Sequence, residues 1–163
     1  MDGVFRDVAN MGDLPGGAQL SINWMGIPSR GKMHVPCCDF SPLTSTETFH
    51  EFDFPTLQNE ARHMTHNMFH VNGVGVLRHL DRILSPPQIQ AIQWVQGVGD
   101  DLPPLQWLDV IKKVLAAGKG VLVDPQLDEL EPFVAAMKPD GPYLCIAAQE
   151  SVQPQILRRL QKW

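Results

Sequence analysis

Charged residues are scarce in this sequence, and positive charge is the scarcer sign. Only 19% of the 163 residues are charged, and 13 Lys and Arg against 18 Asp and Glu give a formal net charge of -5 at pH 7. Proteins that bind nucleic acids or anionic membrane surfaces carry a basic excess on the binding face. The composition therefore predicts no nucleic-acid partner and no electrostatic attachment to a membrane.

Long apolar runs are missing as well. No run approaches the roughly 18 residues that a membrane-spanning helix needs. The chain begins MDGVFRDVANMGDLPGG, with acids and glycines where a secretory signal has a basic start and an apolar stretch. We therefore expect a cytoplasmic protein that does not cross a membrane.

Cysteine is too scarce and too poorly spaced for a disulfide scaffold. Cys37, Cys38 and Cys145 are an odd number, and disulfide geometry rarely suits two chain neighbours. All three lie in apolar runs, where a buried cysteine commonly acts as a small packing residue. Packing is therefore the favoured interpretation of the three thiols.

Apolar residues and turn formers, in contrast, are abundant. The chain is 44% hydrophobic and contains 14 Pro and 13 Gly. This length and hydrophobic content suit one domain with its own core. The many Pro and Gly predict frequent short connections between elements.

The hydrophobic pattern divides the chain into an arm and a domain. Residues 1–30 show little periodicity, which predicts an irregular N-terminal arm. Over residues 31–163, five short apolar runs, with starts near 33, 67, 91, 120 and 143, are each followed by a segment with helical spacing. Because parallel strands need crossover connections of this length, the pattern predicts an α/β domain, either a (β/α) barrel or a doubly wound sheet.

Single residues mark several helix ends. Ser45 is a candidate N-cap with an imperfect capping box, and Pro55 is expected to kink the helix that follows. Gly118 stands at the C-terminal glycine position of a later helix. A glycine-rich phosphate loop is missing, because Gly97-Val98-Gly99 lacks a third glycine and precedes the repelling Asp100-Asp101. A doubly wound nucleotide-binding sheet is thus the weaker of the two predictions.

Polar residues at the carboxyl ends of the predicted strands are the candidate site, since both architectures bind ligands there. They are Cys38, Asp39, His70, Asn72, Gln93, Trp94, Gln96, Asp124 and Cys145. His70 and Asn72 are two residues apart and share a face, and Asp39 faces them if the strands are adjacent.

Each of these residues also has a structural interpretation. His70 is a candidate for a hydrogen-bonded core histidine, and Trp94 either lines a pocket or packs under a helix. His63, His66 and His70 are not expected to share a face, which argues against a metal site made from these three rings.

Three stretches, HVPCCDFSPLTSTETFHEF, HNMFHVNGVGVLRHLDRIL and AIQWVQGVGDD, resemble the C-terminal part of the uroporphyrinogen decarboxylase superfamily. This superfamily also contains the cobalamin-dependent methyltransferases. The resemblance covers about residues 24–163, and its most specific parts are His70-x-Asn72-Gly73, the helix with Arg78-His79-Leu80-Asp81, and Ile92-Gln93-Trp94. It implies a (β/α)8 barrel, of which this chain holds the last five units as a partial TIM barrel.

The resemblance also bears on chemistry. In the decarboxylase, a lyase, the carboxylate-binding arginine and the catalytic aspartate come from the earlier part of the barrel. The methyltransferases hold zinc with a strand-end His-x-Cys and a later Cys. In this chain His70 corresponds to the histidine, Asn72 occupies the position of the first cysteine, and Cys145 is the candidate for the second cysteine. Because Asn is a poor zinc ligand, we assign neither a metal nor another cofactor.

The resulting hypothesis is an enzyme-like site in an open barrel. His70 and Asp39 are the catalytic candidates, and Cys38, Asn72, Gln93 and Trp94 would bind a small polar metabolite for decarboxylase-type or methyltransferase-type chemistry. The alternative is a non-catalytic association module. Since a partial barrel exposes two sheet edges and its inner face, both versions predict a homodimer or a companion chain that completes the barrel.

Overall fold

The computed structural model describes residues 20–95 and 104–163, which fold into a two-stranded and a five-stranded sheet. Residues 1–19 of the predicted arm, Gln96, the Gly97-Val98-Gly99 stretch and Asp100-Asp101 lie outside the described residues. The strands are β1 Leu20–Ile22, β2 Pro28–Arg30, β3 Met33–His34, β4 His66–Asn72, β5 Ala91–Val95, β6 Gly120–Val123 and β7 Pro142–Leu144.

The larger sheet is parallel throughout, and its order β3-β4-β5-β6-β7 follows the chain. The predicted α/β class with a parallel sheet is therefore confirmed. The described strands lack the reversal of order that defines a doubly wound sheet. The predicted first run is shorter than expected, because Pro36 has no N–H to donate, and beyond His34 only Cys37 forms a further bridge.

Helices follow every strand of the parallel sheet. They are α1 Thr46–Thr48, α2 Phe54–Arg62, α3 Leu80–Leu84, α4 Leu108–Ala116, α5 Leu130–Ala136 and α6 Gln153–Leu160. Short 3-10 turns cover Ser41–Leu43, Val74–His79, Pro104–Trp107 and Leu127–Glu129. No helix within the described ranges combines the length and apolar character needed to cross a bilayer.

The first helical segment begins where the sequence predicts, and its regular α pattern is interrupted just before Pro55. Ser45 Oγ accepts a hydrogen bond from Thr48 N at 3.2 Å, which makes it the N-cap. A π segment, Phe49–Asp53, separates α1 from α2, and the Phe54 N–H donates to Phe49 O. Pro55 has no N–H for the Glu51 carbonyl, so the regular α pattern cannot pass through this point.

The helices pack on one face of the parallel sheet. The buried strand residues of this core are Phe69, Val71, Ile92, Trp94, Val121 and Val123, and the helices contribute Phe54, Leu57, Leu80, Ile83, Ile111, Val114 and Phe133. Since these strand residues alternate along the chain, their neighbours Met68, Gln93 and Leu122 face the opposite side.

The β1–β2 hairpin packs on that opposite side. Ile27 lies with Met68 and Leu122 in a second buried cluster, and Ser29 Oγ is 2.7 Å from His66 Nδ1. The sequence predicts an irregular arm, but its described part contains two regular strands. These strands lie on the sheet because the apolar side chains on that face of the sheet must be buried.

Ile27→Ala tests this packing. Ile27 is 9% exposed, and removing a buried Ile side chain should lower the free energy of unfolding by about 2 to 4 kcal/mol. Leu157→Ala is the control, because Leu157 is 61% exposed and its loss should change stability by less than about 0.5 kcal/mol. Urea denaturation measures both. Equal stability of the two variants would contradict the hairpin packing.

Candidate functional site

The candidate site lies on the hairpin-covered face, near the carboxyl ends of the parallel strands. Strand register aligns one residue from each of four strands, and we call this set the lower row: His70, Gln93, Leu122 and Tyr143. The residues two positions further along the chain form the upper row: Asn72 and Val95 end β4 and β5, and Asp124 and Cys145 directly follow β6 and β7. Residues two apart in a strand share a face, so both rows point to the same side of the sheet.

A short hydrogen bond connects His70 to Gln93. His70 Nδ1 lies 2.6 Å from Gln93 Oε1, and Gln93 is buried. A carboxamide oxygen can only accept, so Nδ1 carries the proton and donates it. The neutral ring then keeps its lone pair on Nε2. Gln93 therefore fixes both the orientation of His70 and the nitrogen that can act as a base.

Trp24 covers one side of this imidazole. It lies in the turn between β1 and β2, and its ring packs edge-to-face on His70, with 5.7 Å between centroids and 73° between planes. Trp24 is 68% exposed. His70 itself is half-buried, so the ring is shielded on one side and stays accessible to a ligand.

Asp124 and Cys145 form a second polar pair at the carboxyl ends of β6 and β7. Burial raises the pKa of the Cys145 thiol, and the Asp124 carboxylate beside it raises that pKa further. Cys145 is consequently a protonated thiol near neutral pH and a weak nucleophile. Its backbone N–H continues the sheet ladder to Val123 O at 2.9 Å.

The residues do not fit the zinc site that the resemblance implies. β5 and β6 separate His70 on β4 from Cys145 after β7, and a thiolate ligand is disfavoured beside Asp124. Across residues 20–95 and 104–163, no three His, Cys, Asp or Glu side chains form a group suited to a metal ion. We derive no step through zinc.

Other predicted site residues lie elsewhere. Trp94 is buried in the helix-side core, with its ring centroid 5.1 Å from that of Trp107. It therefore packs under a helix and does not line a pocket on the site face. Cys38 packs partly against the same core, and burial together with the Asp53 charge raises its pKa. Asp39 is exposed in the turn after β3, and within the described chain no hydrogen bond or ion pair joins it to His70.

Trp24 is the site residue that strand-end reasoning misses. Its turn nevertheless has a sequence signal, because Asn23 Oδ1 accepts from the N–H groups of Met25 and Ile27, both at 3.0 Å. Gly26 has a positive φ of 77°. Asn and Gly at these positions, between short apolar stretches, are typical of a hairpin turn.

The charges of the side chains in the two rows limit the kind of ligand that can bind there. Asp124 is the one charged side chain in them, and neither row contains Lys or Arg. Polycarboxylate ligands need cationic partners, whereas hydroxyl or amine groups can hydrogen-bond to amides and to a carboxylate. The rows therefore suit a neutral or weakly cationic polar molecule.

Comparison of the chain with protein-family models, with curated proteins and with solved structures found no match. What the site can do is therefore inferred from its own contacts. These contacts place one basic ring nitrogen, two amides and one carboxylate on the same face of the sheet.

Proposed function

We propose that the chain forms part of a (β/α) barrel of the uroporphyrinogen decarboxylase type that binds a small polar metabolite at the carboxyl ends of its strands. Two features support the barrel: strand order follows the chain, and in the described ranges the buried helix side chains pack on one face of the sheet. In a barrel, the face opposite the helices points inward and is filled with side chains. Here Ile27 of the hairpin takes part in that filling.

The main support for the proposed site is the 2.6 Å contact between His70 Nδ1 and Gln93 Oε1. Among the described residues, no hydrogen bond is made by His70 Nε2, so the ring can accept a proton from a hydroxyl, an ammonium or an activated C–H group of a bound metabolite. The Gln93 oxygen continues to accept from Nδ1–H when the ring becomes cationic, and Asp124 adds a negative charge on the same face.

Proton transfer is the chemistry that these residues supply. Decarboxylation in the resembled family uses an arginine for the substrate carboxylate, and methyl transfer uses zinc that is held partly by cysteine thiolates. The two rows contain no arginine, and Cys145 is held as a thiol. Asn72, two residues beyond His70 on the same face, would bind the metabolite.

Ligand-detected NMR tests this site. We expect saturation transfer from the protein to members of a panel of small polyols, amines and amino sugars. His70→Gln should weaken that binding about tenfold, because it removes the basic nitrogen from the contact. His63→Gln is the control, since His63 is exposed and bonds to Asn59 O at 2.7 Å. A panel without binders, or binders unaffected by His70→Gln, would contradict the proposal.

A second candidate function is association with a copy of this chain or with a companion chain. It is favoured by the edges of the parallel sheet: among the described strands, β3 pairs only with β4 and β7 only with β6. Edge strands present N–H and C=O groups to which another strand can bind. Tyr143 on β7 adds a large exposed ring.

The solution mass tests this second candidate. A homodimer should give twice the chain mass of 18.2 kDa by static light scattering, and a companion chain should co-purify in equal amount. A monomer over a wide concentration range, with nothing co-purified, would contradict association. The proposed binding site at His70 would be unaffected by that result.

A further inference from the structure

A sizeable cavity lies outside the sheet and its inner face. It is a groove of about 550 Å³ between the helical segment that starts at Thr46 and the turn that leads into α3. We call it the outer groove; it is lined by Thr46, Glu47, Phe49, His50, Glu51, Arg78, His79 and Arg82. Its volume is within the range of small-molecule sites. None of its residues belongs to the two rows around His70.

Two stacked rings form the floor of the outer groove. The rings of Phe49 and His79 lie 4.2 Å apart at 15°, and each residue is 1% exposed. His79 Nε2 donates to Ser41 O at 3.0 Å. Its Nδ1 is buried and has no hydrogen-bond partner among the described residues. The floor is therefore aromatic, with one acceptor left unsatisfied.

The two walls carry opposite charges. Glu47 and Glu51 are four residues apart on one wall, and Arg78 and Arg82 are four residues apart on the other. Like charges at this spacing repel each other. In the described structure no ion pair within 4 Å crosses the groove. One contact other than an ion pair crosses the groove, because Arg82 Nη2 lies 3.5 Å from His50 Nε2. The Glu47 carboxylate accepts from its own backbone N–H and from Ser45, which lowers its pKa. Glu51 and Arg78 have no ion-pair partner among the described residues.

The arginines are held by contacts other than carboxylates. Arg78 Nε donates to Gly75 O at 3.0 Å, and the Arg82 guanidinium lies 4.2 Å from the centre of the Phe54 ring. Arg82 Nη2 also contacts His50 Nε2 at 3.5 Å. These contacts orient the guanidinium groups, and a guanidinium has further N–H groups that can donate to a ligand. The opposite wall includes part of the π segment, a type of helix that is frequent at functional sites.

We propose that the outer groove binds a free amino acid with an apolar side chain. A zwitterion satisfies both walls at once: its carboxylate accepts from Arg78 and Arg82, and its ammonium donates to Glu47 and Glu51. The apolar side chain covers the stacked floor. A ligand with only one charge would leave either Glu51 or Arg78 without an ion-pair partner.

Titration of the full-length ¹⁵N-labelled protein with L-phenylalanine tests the proposal. N-acetyl-L-phenylalanine lacks the ammonium, and L-phenylalaninamide lacks the carboxylate. We expect saturable shifts at the groove residues for L-phenylalanine, with a dissociation constant about tenfold lower than for either analogue.

Variants separate the two walls. The double variant Arg78→Gln with Arg82→Gln should weaken the binding of L-phenylalanine about tenfold. It should also bind L-phenylalanine no more tightly than L-phenylalaninamide. Arg62→Gln with Arg158→Gln is the matched control, because these exposed arginines do not line the groove. His70→Gln should also leave binding unchanged, which separates this site from the proposed function. No saturable shift, equal affinity for all three compounds, or an unaffected double variant would overturn the proposal.

Discussion

One constraint organises the molecule: every helix of the main core packs on the same face of a parallel sheet. The alternate side chains of the same strands must be covered by something else, or Met68 and Leu122 would face water. The β1–β2 hairpin provides that cover through Ile27. Burying each of these side chains contributes about 1.5 to 3 kcal/mol, so the hairpin and the sheet stabilise each other.

The same arrangement produces the candidate site. The hairpin buries Met68 and Leu122, and its turn brings Trp24 beside His70. His70 is consequently half-buried and is fixed by Gln93 from the neighbouring strand. The protonated thiol of Cys145, two strands away from Gln93, belongs to the same face but cannot act as a thiolate near neutral pH.

Much of the fold is predictable from local patterns. The apolar runs give the positions of the parallel strands, Ser45 marks a helix start, and Gly118, with φ of 73°, ends another helix. The distribution of side chains between the two faces is harder to predict, because it depends on register with distant strands. Trp94 shows this: it is adjacent to Gln93 in sequence and lies on the opposite face.

The tautomer of the neutral His70 ring is the quantity to measure, because it reports whether Nδ1–H donates to Gln93 Oε1. In water a neutral histidine carries its proton mainly on Nε2, whereas the contact with Gln93 requires it on Nδ1. Long-range ¹H–¹⁵N correlation at a pH where the ring is neutral should show the Nδ1–H form, and Gln93→Leu should abolish it. His63 serves as the internal reference, because its Nδ1 contacts Asn59 O and should keep the same tautomer in the unmodified protein and in Gln93→Leu. A predominantly Nε2–H His70 in the unmodified protein would contradict the account.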